Sequence, residues 1–88
     1  MATVDELIEQ YEPYGHHLMY VKWKDRQLRL DSVSGWQIFD MKVADPDGDG
    51  FYLPLSPEFG SLAVALEYPV LDGKSIRDRF DECWFFGE

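Results

Sequence analysis

Between His17 and Val43, apolar and polar residues alternate in three successive runs, and no other feature restricts the folding of this chain so narrowly. In HLMYVKWK, Met19, Val21 and Trp23 share one face, while Tyr20, Lys22 and Lys24 take the other. Successive side chains of a strand point to opposite sides, so a period of two is the mark of a strand with one buried face. QLRLDSV alternates Leu28 and Leu30 against Arg29 and Asp31, and WQIFDMKV groups Phe39, Met41 and Val43 opposite Ile38 and Asp40. Asp25-Arg26 and Ser34-Gly35 supply short polar turns between the runs, which predicts an antiparallel meander. A fourth run, FYLPL, contains Pro54, which cannot donate to a ladder and so belongs at a sheet edge.

Helical signals flank the meander. Thr3 and Glu6 have capping-box spacing, and Val4, Leu7, Ile8 and Tyr11 form a stripe at helical period, with Asp5, Glu9 and Glu12 on the other side. Pro13 and Gly15 end this helix. Ser56-Pro57-Glu58 resembles a second helix start, followed by Phe59, Leu62, Ala63 and Leu66 at helical spacing. The same stretch also alternates through Leu62, Val64, Leu66 and Tyr68, so a strand fits these letters too, although the cap favours a helix. After an Asp72-Gly73 turn, Ser75 and Asp78 can cap a last helix that turns Ile76, Phe80, Cys83 and Trp84 inward. The expected order is α-β-β-β-β-α-α: one α+β domain over residues 1–88, a four-stranded meander with helices packed on one face.

Charge narrows the function classes. Seventeen acidic against eight basic residues give a net charge of −9, a field that repels nucleic acid and anionic membranes and steers toward basic partners. The single cysteine, Cys83, excludes an intramolecular disulfide and favours a reducing compartment, and the acidic amphipathic start is unlike a targeting peptide. A cytoplasmic, membrane-free address is the expectation. The aromatic share of 16% is high, so either the core is built of rings or some rings face a partner.

The loop DPDGDG carries the most chemistry. Asp45, Asp47 and Asp49 followed by Gly50 match the first half of a calcium loop, whose twelfth position wants a bidentate glutamate. Ser56 stands there instead, which leaves at most weak, roughly millimolar calcium affinity as an alternative reading. Asp-Pro-Asp-Gly is also a favoured turn between two apolar runs, the simpler assignment. VADPDGDGFYL resembles the DPDG hairpin of the glyoxalase and bleomycin-resistance family. That family's metal-binding glutamate falls near Tyr52, so the resemblance implies a turn and transfers no metal site.

Catalytic constellations fail one by one. His16 and His17 are neighbours and point to opposite faces of a strand, so they do not chelate one ion together. Either could serve a small-molecule pocket between sheet and helices, the third reading. Cys83 sits beside Asp81 and Glu82, which raise a thiol pKa. Gly73-Lys74-Ser75 lacks the earlier glycine of a phosphate loop. Lys22, Lys24, Arg26 and Arg29 lie with Tyr20 and Trp23 in a basic aromatic hairpin, but seventeen carboxylates oppose nucleic acid.

What remains is a surface. Asp5, Glu9 and Glu12 on a helix, with Asp45, Asp47 and Asp49 on a loop, could imitate a row of phosphates. Size and charge resemble those of immunity proteins and of phage or mobile-element inhibitors, which occupy basic grooves. The consecutive Trp84, Phe85 and Phe86 must turn at least one ring outward, against the domain's own sheet or a second copy. These nine residues are the expected partner-binding set of a non-catalytic, cofactor-free interaction protein that binds, and inhibits, a basic protein and has a twin subunit as a second candidate partner.

Overall fold

The computed structural model describes residues 3–12, 18–32, 35–44, 46–47 and 52–87. Helix α1 spans Val4–Tyr11 and opens with the predicted cap. The Glu6 N–H donates to Thr3 Oγ1 at 3.2 Å, and the Thr3 hydroxyl donates to Glu6 Oε1 at 3.3 Å. Leu7 and Tyr11 are buried and Val4 and Ile8 pack against the same core, so the helical stripe reads out as expected.

Strands β1 (Leu18–Trp23), β2 (Arg26–Ser32) and β3 (Trp36–Ala44) form the antiparallel meander, and β4 (Tyr52–Pro54) is added at its edge. Strands β3 and β4 pair antiparallel, and between them Pro46 and Asp47 lie in a turn. Lys24 takes a φ of 55° in the two-residue turn between β1 and β2, the left-handed conformation such hairpins need. Its Nζ lies 4.5 Å from the Trp23 ring centroid, a contact that offsets some of the strain.

Among the described residues the sheet has five strands in the order β4-β3-β2-β1-β5. The α+β architecture with helices on one face is as the sequence indicates, but two elements differ. The helix expected from Ser56 begins later: α2 is the single turn Leu62–Ala65, capped by Ser61. The last helix is replaced by turns, a 3-10 turn at Phe80–Glu82, and a fifth strand β5 at Trp84–Gly87. The cap pair itself forms, since Asp78 N–H donates to Ser75 Oγ at 3.0 Å and Ser75 N–H to Asp78 Oδ2 at 3.4 Å. Helix does not propagate from it because the outer edge of β1 needs partners for its backbone groups, and β5 supplies them through Met19↔Gly87 to Lys22↔Trp84.

One sheet face carries Met19, Val21, Trp23, Leu28, Leu30, Trp36 and Ile38, all buried beneath Leu7, Tyr11, Leu62, Ala65, Leu66, Leu71 and Ile76. Each large apolar side chain so buried contributes about 1.5–3 kcal/mol.

At the other edge β4 is only three residues long, and its register with β3 shifts between Asp40 and Ala44. Asp40 Oδ1 accepts from the Lys42 N–H at 2.9 Å and stabilises this bulge. Beyond Pro54 the chain keeps covering β3 by other means. Leu55 N–H donates to the Ile38 carbonyl at 2.7 Å, and Ser56 Oγ accepts from the Ile38 N–H at 3.0 Å. Trp36 and Phe59 then exchange two backbone hydrogen bonds of 2.8 Å. This bridge brings the chain so close to Gly35 (φ 158°) that a Cβ there would lie 3.0 Å from the Phe59 carbonyl oxygen and 3.3 Å from Glu58 Cβ.

Two stability predictions follow from this edge. Gly35→Ala is expected to destabilise by about 1–3 kcal/mol, seen as a lower denaturant midpoint at unchanged slope. Ser56→Ala, which leaves the buried Ile38 N–H unpaired, is expected to lower stability by about 1–3 kcal/mol in the same assay. A midpoint equal to wild type for either variant would remove the corresponding contact from the account.

Candidate functional site

The described residues of the expected partner-binding set lie in two layers of the fold. Asp5 and Glu9 are exposed on α1, in the helix layer. Glu12 is committed to the fold: its Oε1 accepts from the Leu62 N–H at 2.8 Å and so assists the start of α2. Asp47 is exposed in the β3–β4 connection, while Asp45 and Asp49 lie outside the described residues, as do His16 and His17. Among the described residues, no three His, Cys, Asp or Glu side chains come together as a metal site.

The three terminal rings alternate. Phe85 turns to the core side, with its ring centroid 4.9 Å from that of Phe80. Trp84 and Phe86 point to the opposite face and remain 69% and 54% exposed. The inward placement expected for Trp84 on a helix is thereby reversed, because β5 as a strand sends alternate residues to opposite sides.

The outer face of the sheet is not covered by α1 or α2, whose apolar residues meet the other side. Cross-strand pairing aligns Phe39, Arg29, Tyr20 and Phe86 in one row and Gln27, Lys22 and Trp84 in the next. An open concavity of about 470 Å³ lies here, lined by Tyr20, Val21, Lys22, Gln27, Leu28, Met41 and Phe86. It is therefore on the face away from the helices. Beside it Arg29 Nη2 donates to Asp31 Oδ2 at 2.9 Å, and its guanidinium carbon lies 5.9 Å from the Tyr52 ring centroid. Alternation in the sequence already put Tyr20 with Lys22 and Phe39 with Met41. Their convergence with Phe86 needed the strand order.

The basic hairpin is also split. Lys22 and Arg29 are on the outer face, whereas Arg26 reaches the core side, where its Nη1 donates to the Val70 carbonyl at 2.6 Å. Trp23 is buried there, with Nε1 donating to Glu82 Oε1 at 3.3 Å and the Arg79 guanidinium carbon 4.8 Å from its ring centroid. Cys83 packs beside this cluster. Burial, and secondarily the Glu82 carboxylate, push its thiol up to about 11 against the partial opposing effect of Arg79. A thiol so held is a poor nucleophile at neutral pH, in keeping with packing.

No helix among the described residues is long and apolar enough to cross a membrane. Comparison with family models, with curated proteins and with solved structures gives no match.

Because Cys83 ionises near the ordinary thiol value of 9.0 when unfolded and near 11 when folded, the native state holds the extra proton between these values. Stability from this group is therefore complete below pH 9 and is lost as pH rises toward 11. Denaturation midpoints measured from pH 8 to 11 are expected to fall more steeply for wild type than for Cys83→Ala; parallel curves would refute the shift.

Proposed function

We propose that the protein is a small non-catalytic interaction module that binds a basic macromolecular partner, in the manner of an immunity protein or a phage or mobile-element inhibitor. The observation that supports this reading most directly is how the fold uses its few cations. Arg26 lies 3.9 Å from Asp40, Arg29 2.9 Å from Asp31, and Arg79 3.6 Å from Glu82. Arg26 and Arg79 additionally donate to the Val70 and Leu71 carbonyls. These arginines serve the fold, while Asp5 and Glu9 are left in solvent on α1 with Asp25, Glu67, Asp72 and Asp81 also exposed. Lys22, Lys24, Lys42, Lys74 and Arg77 are exposed as well, but on a chain of net charge −9 the balance at the surface stays negative, which attracts a basic protein and accelerates encounter. The helix layer, with Asp5 and Glu9, is the proposed contact, and no bound metal or cofactor is invoked.

The test begins with capture of partners from host extract at about 0.1 M salt and again at about 1 M, where the Debye length shrinks from about 10 Å to about 3 Å. A specific basic protein is expected at low salt and is expected to be released at high salt. With that protein purified, Asp5→Lys combined with Glu9→Lys should weaken binding at least several-fold, with only the small fall in melting temperature that a cation in the first turn of α1 brings. Binding indifferent to both salt and charge reversal, or substrate turnover by the purified chain, would overturn the reading.

A further inference from the structure

The two edges of the sheet are built differently. At the β4 edge the strand is short, contains Pro54, follows a bulge, and is continued by Ser56 and the Trp36–Phe59 bridge. These are the devices by which native sheets block pairing with another chain. The β5 edge is also short, at four residues, but has neither proline nor bulge nor covering bridge among the described residues. Trp84-Phe85-Phe86-Gly87 carries no charge, no proline and no register shift, and among the described residues it pairs only with β1. Half of its backbone N–H and C=O groups point away from β1, a free template beside two exposed rings.

We infer that β5 is a self-pairing edge: two copies of this chain join antiparallel through Trp84–Gly87 into one continuous sheet, with Phe85 on the two-fold axis. Alternation of faces and ring contact together set the register. Residues opposite each other in an antiparallel pair lie on the same sheet face, so Trp84 of one copy must oppose a residue that also points outward. Trp84 and Phe86 both qualify, and of the face-matched registers only Trp84 opposite Phe86 sets every exposed ring against a ring of the other copy, which puts Phe85 opposite its own counterpart. A slip of one residue would set an outward ring against the inward-facing row and turn the helix layers to opposite sides. The chosen register stacks four rings, Trp84 and Phe86 from each copy, along the outer face.

Size sets the strength. With rings of about 150–250 Å² each, exposures of 69% and 54% leave roughly 250 Å² per copy to cover, well short of the ~1,200 Å² of a stable interface even when doubled. The dimer is accordingly weak and concentration-dependent. Two copies of net charge −9 also repel, so salt strengthens this contact while it weakens attachment to a basic partner. The inference stands independently of the proposed function, and the opposite salt response keeps the two distinguishable.

Sedimentation equilibrium of the full chain from about 1 μM to about 1 mM should show self-association that tightens between about 0.1 M and about 1 M salt, as screening grows. Phe86→Lys lowers the net charge to −8 (−9 + 1) and so reduces repulsion, yet it should weaken the dimer at least tenfold by placing a charge in the ring stack. In a Cys83→Ser background, chains bearing Trp84→Cys and chains bearing Phe86→Cys are then mixed and oxidised. Cross-linked heterodimers should exceed either homodimer, because like positions sit ~8 Å apart in this register, beyond the roughly 7 Å reach of a disulfide between Cα atoms. A monomer throughout the concentration range, association indifferent to Phe86→Lys, or cross-linking without heterodimer preference would each overturn the inference; circular dichroism confirms that the variants are folded.

Discussion

The tip of the β1–β2 hairpin is where this fold is held together. From Leu66 to Cys83 the chain makes little regular structure, yet Val70, Leu71, Ser75 and Ile76 are buried. Irregular backbone inside a core needs donors for its carbonyls. Two arginines provide them, Arg26 from the hairpin to Val70 and Arg79 to Leu71, at 2.6 and 2.9 Å. Trp23 closes the arrangement by donating to Glu82, with cationic groups of Lys24 and Arg79 both near its ring. The Asp72-Gly73 turn, with φ values of 53° and 84°, returns the chain so that Leu71 and Lys74 exchange backbone hydrogen bonds. Fixing this segment determines where Cys83 emerges, and hence that Trp84 meets Lys22 on β1. The fifth strand is thus a consequence of packing around one indole and two guanidinium groups.

That dependence explains what could and could not be read from the letters. The meander and α1 were legible because their signals are local: a period of two, a period of 3.6 with a capping box, and a proline that bars Pro54 from a central strand. The C-terminal segment was not, because Ile76, Phe80, Cys83 and Trp84 match a helical stripe while CWFFGE is too short to show a strand period. A free edge on β1, dozens of residues away in sequence, decided between them. Ser56 misled for a related reason. Its hydroxyl accepts a backbone N–H, as a cap does, but the donor is Ile38 on a neighbouring strand, and Ser61 caps α2.

For the site, residue types were legible and sidedness was not. Asp5 and Glu9 stay in solvent as the helical period implies, but Glu12 is drawn into the fold by the Leu62 N–H. Trp84 and Phe86 are at the surface on the far side of the sheet from α1. The proposed ionic contact at the helix layer and the proposed apolar contact at the β5 edge would therefore be spatially separate, and each could be occupied without displacing the other.

The separation has a geometric consequence for an assembly joined at β5. A two-fold axis normal to the sheet keeps both helix layers on the same side, so both α1 carboxylate rows face the same direction. A basic partner long enough to span the joined sheet would then meet two acidic patches, and the second contact forms at the effective concentration set by the first. The patches would repel one another without the partner and be neutralised together by it. Partner binding would consequently favour pairing at β5, while the pairing alone would stay weak. The negative surplus that opposes association of free chains is what the proposed basic partner would remove, and this would link the two surfaces through charge without any change in shape.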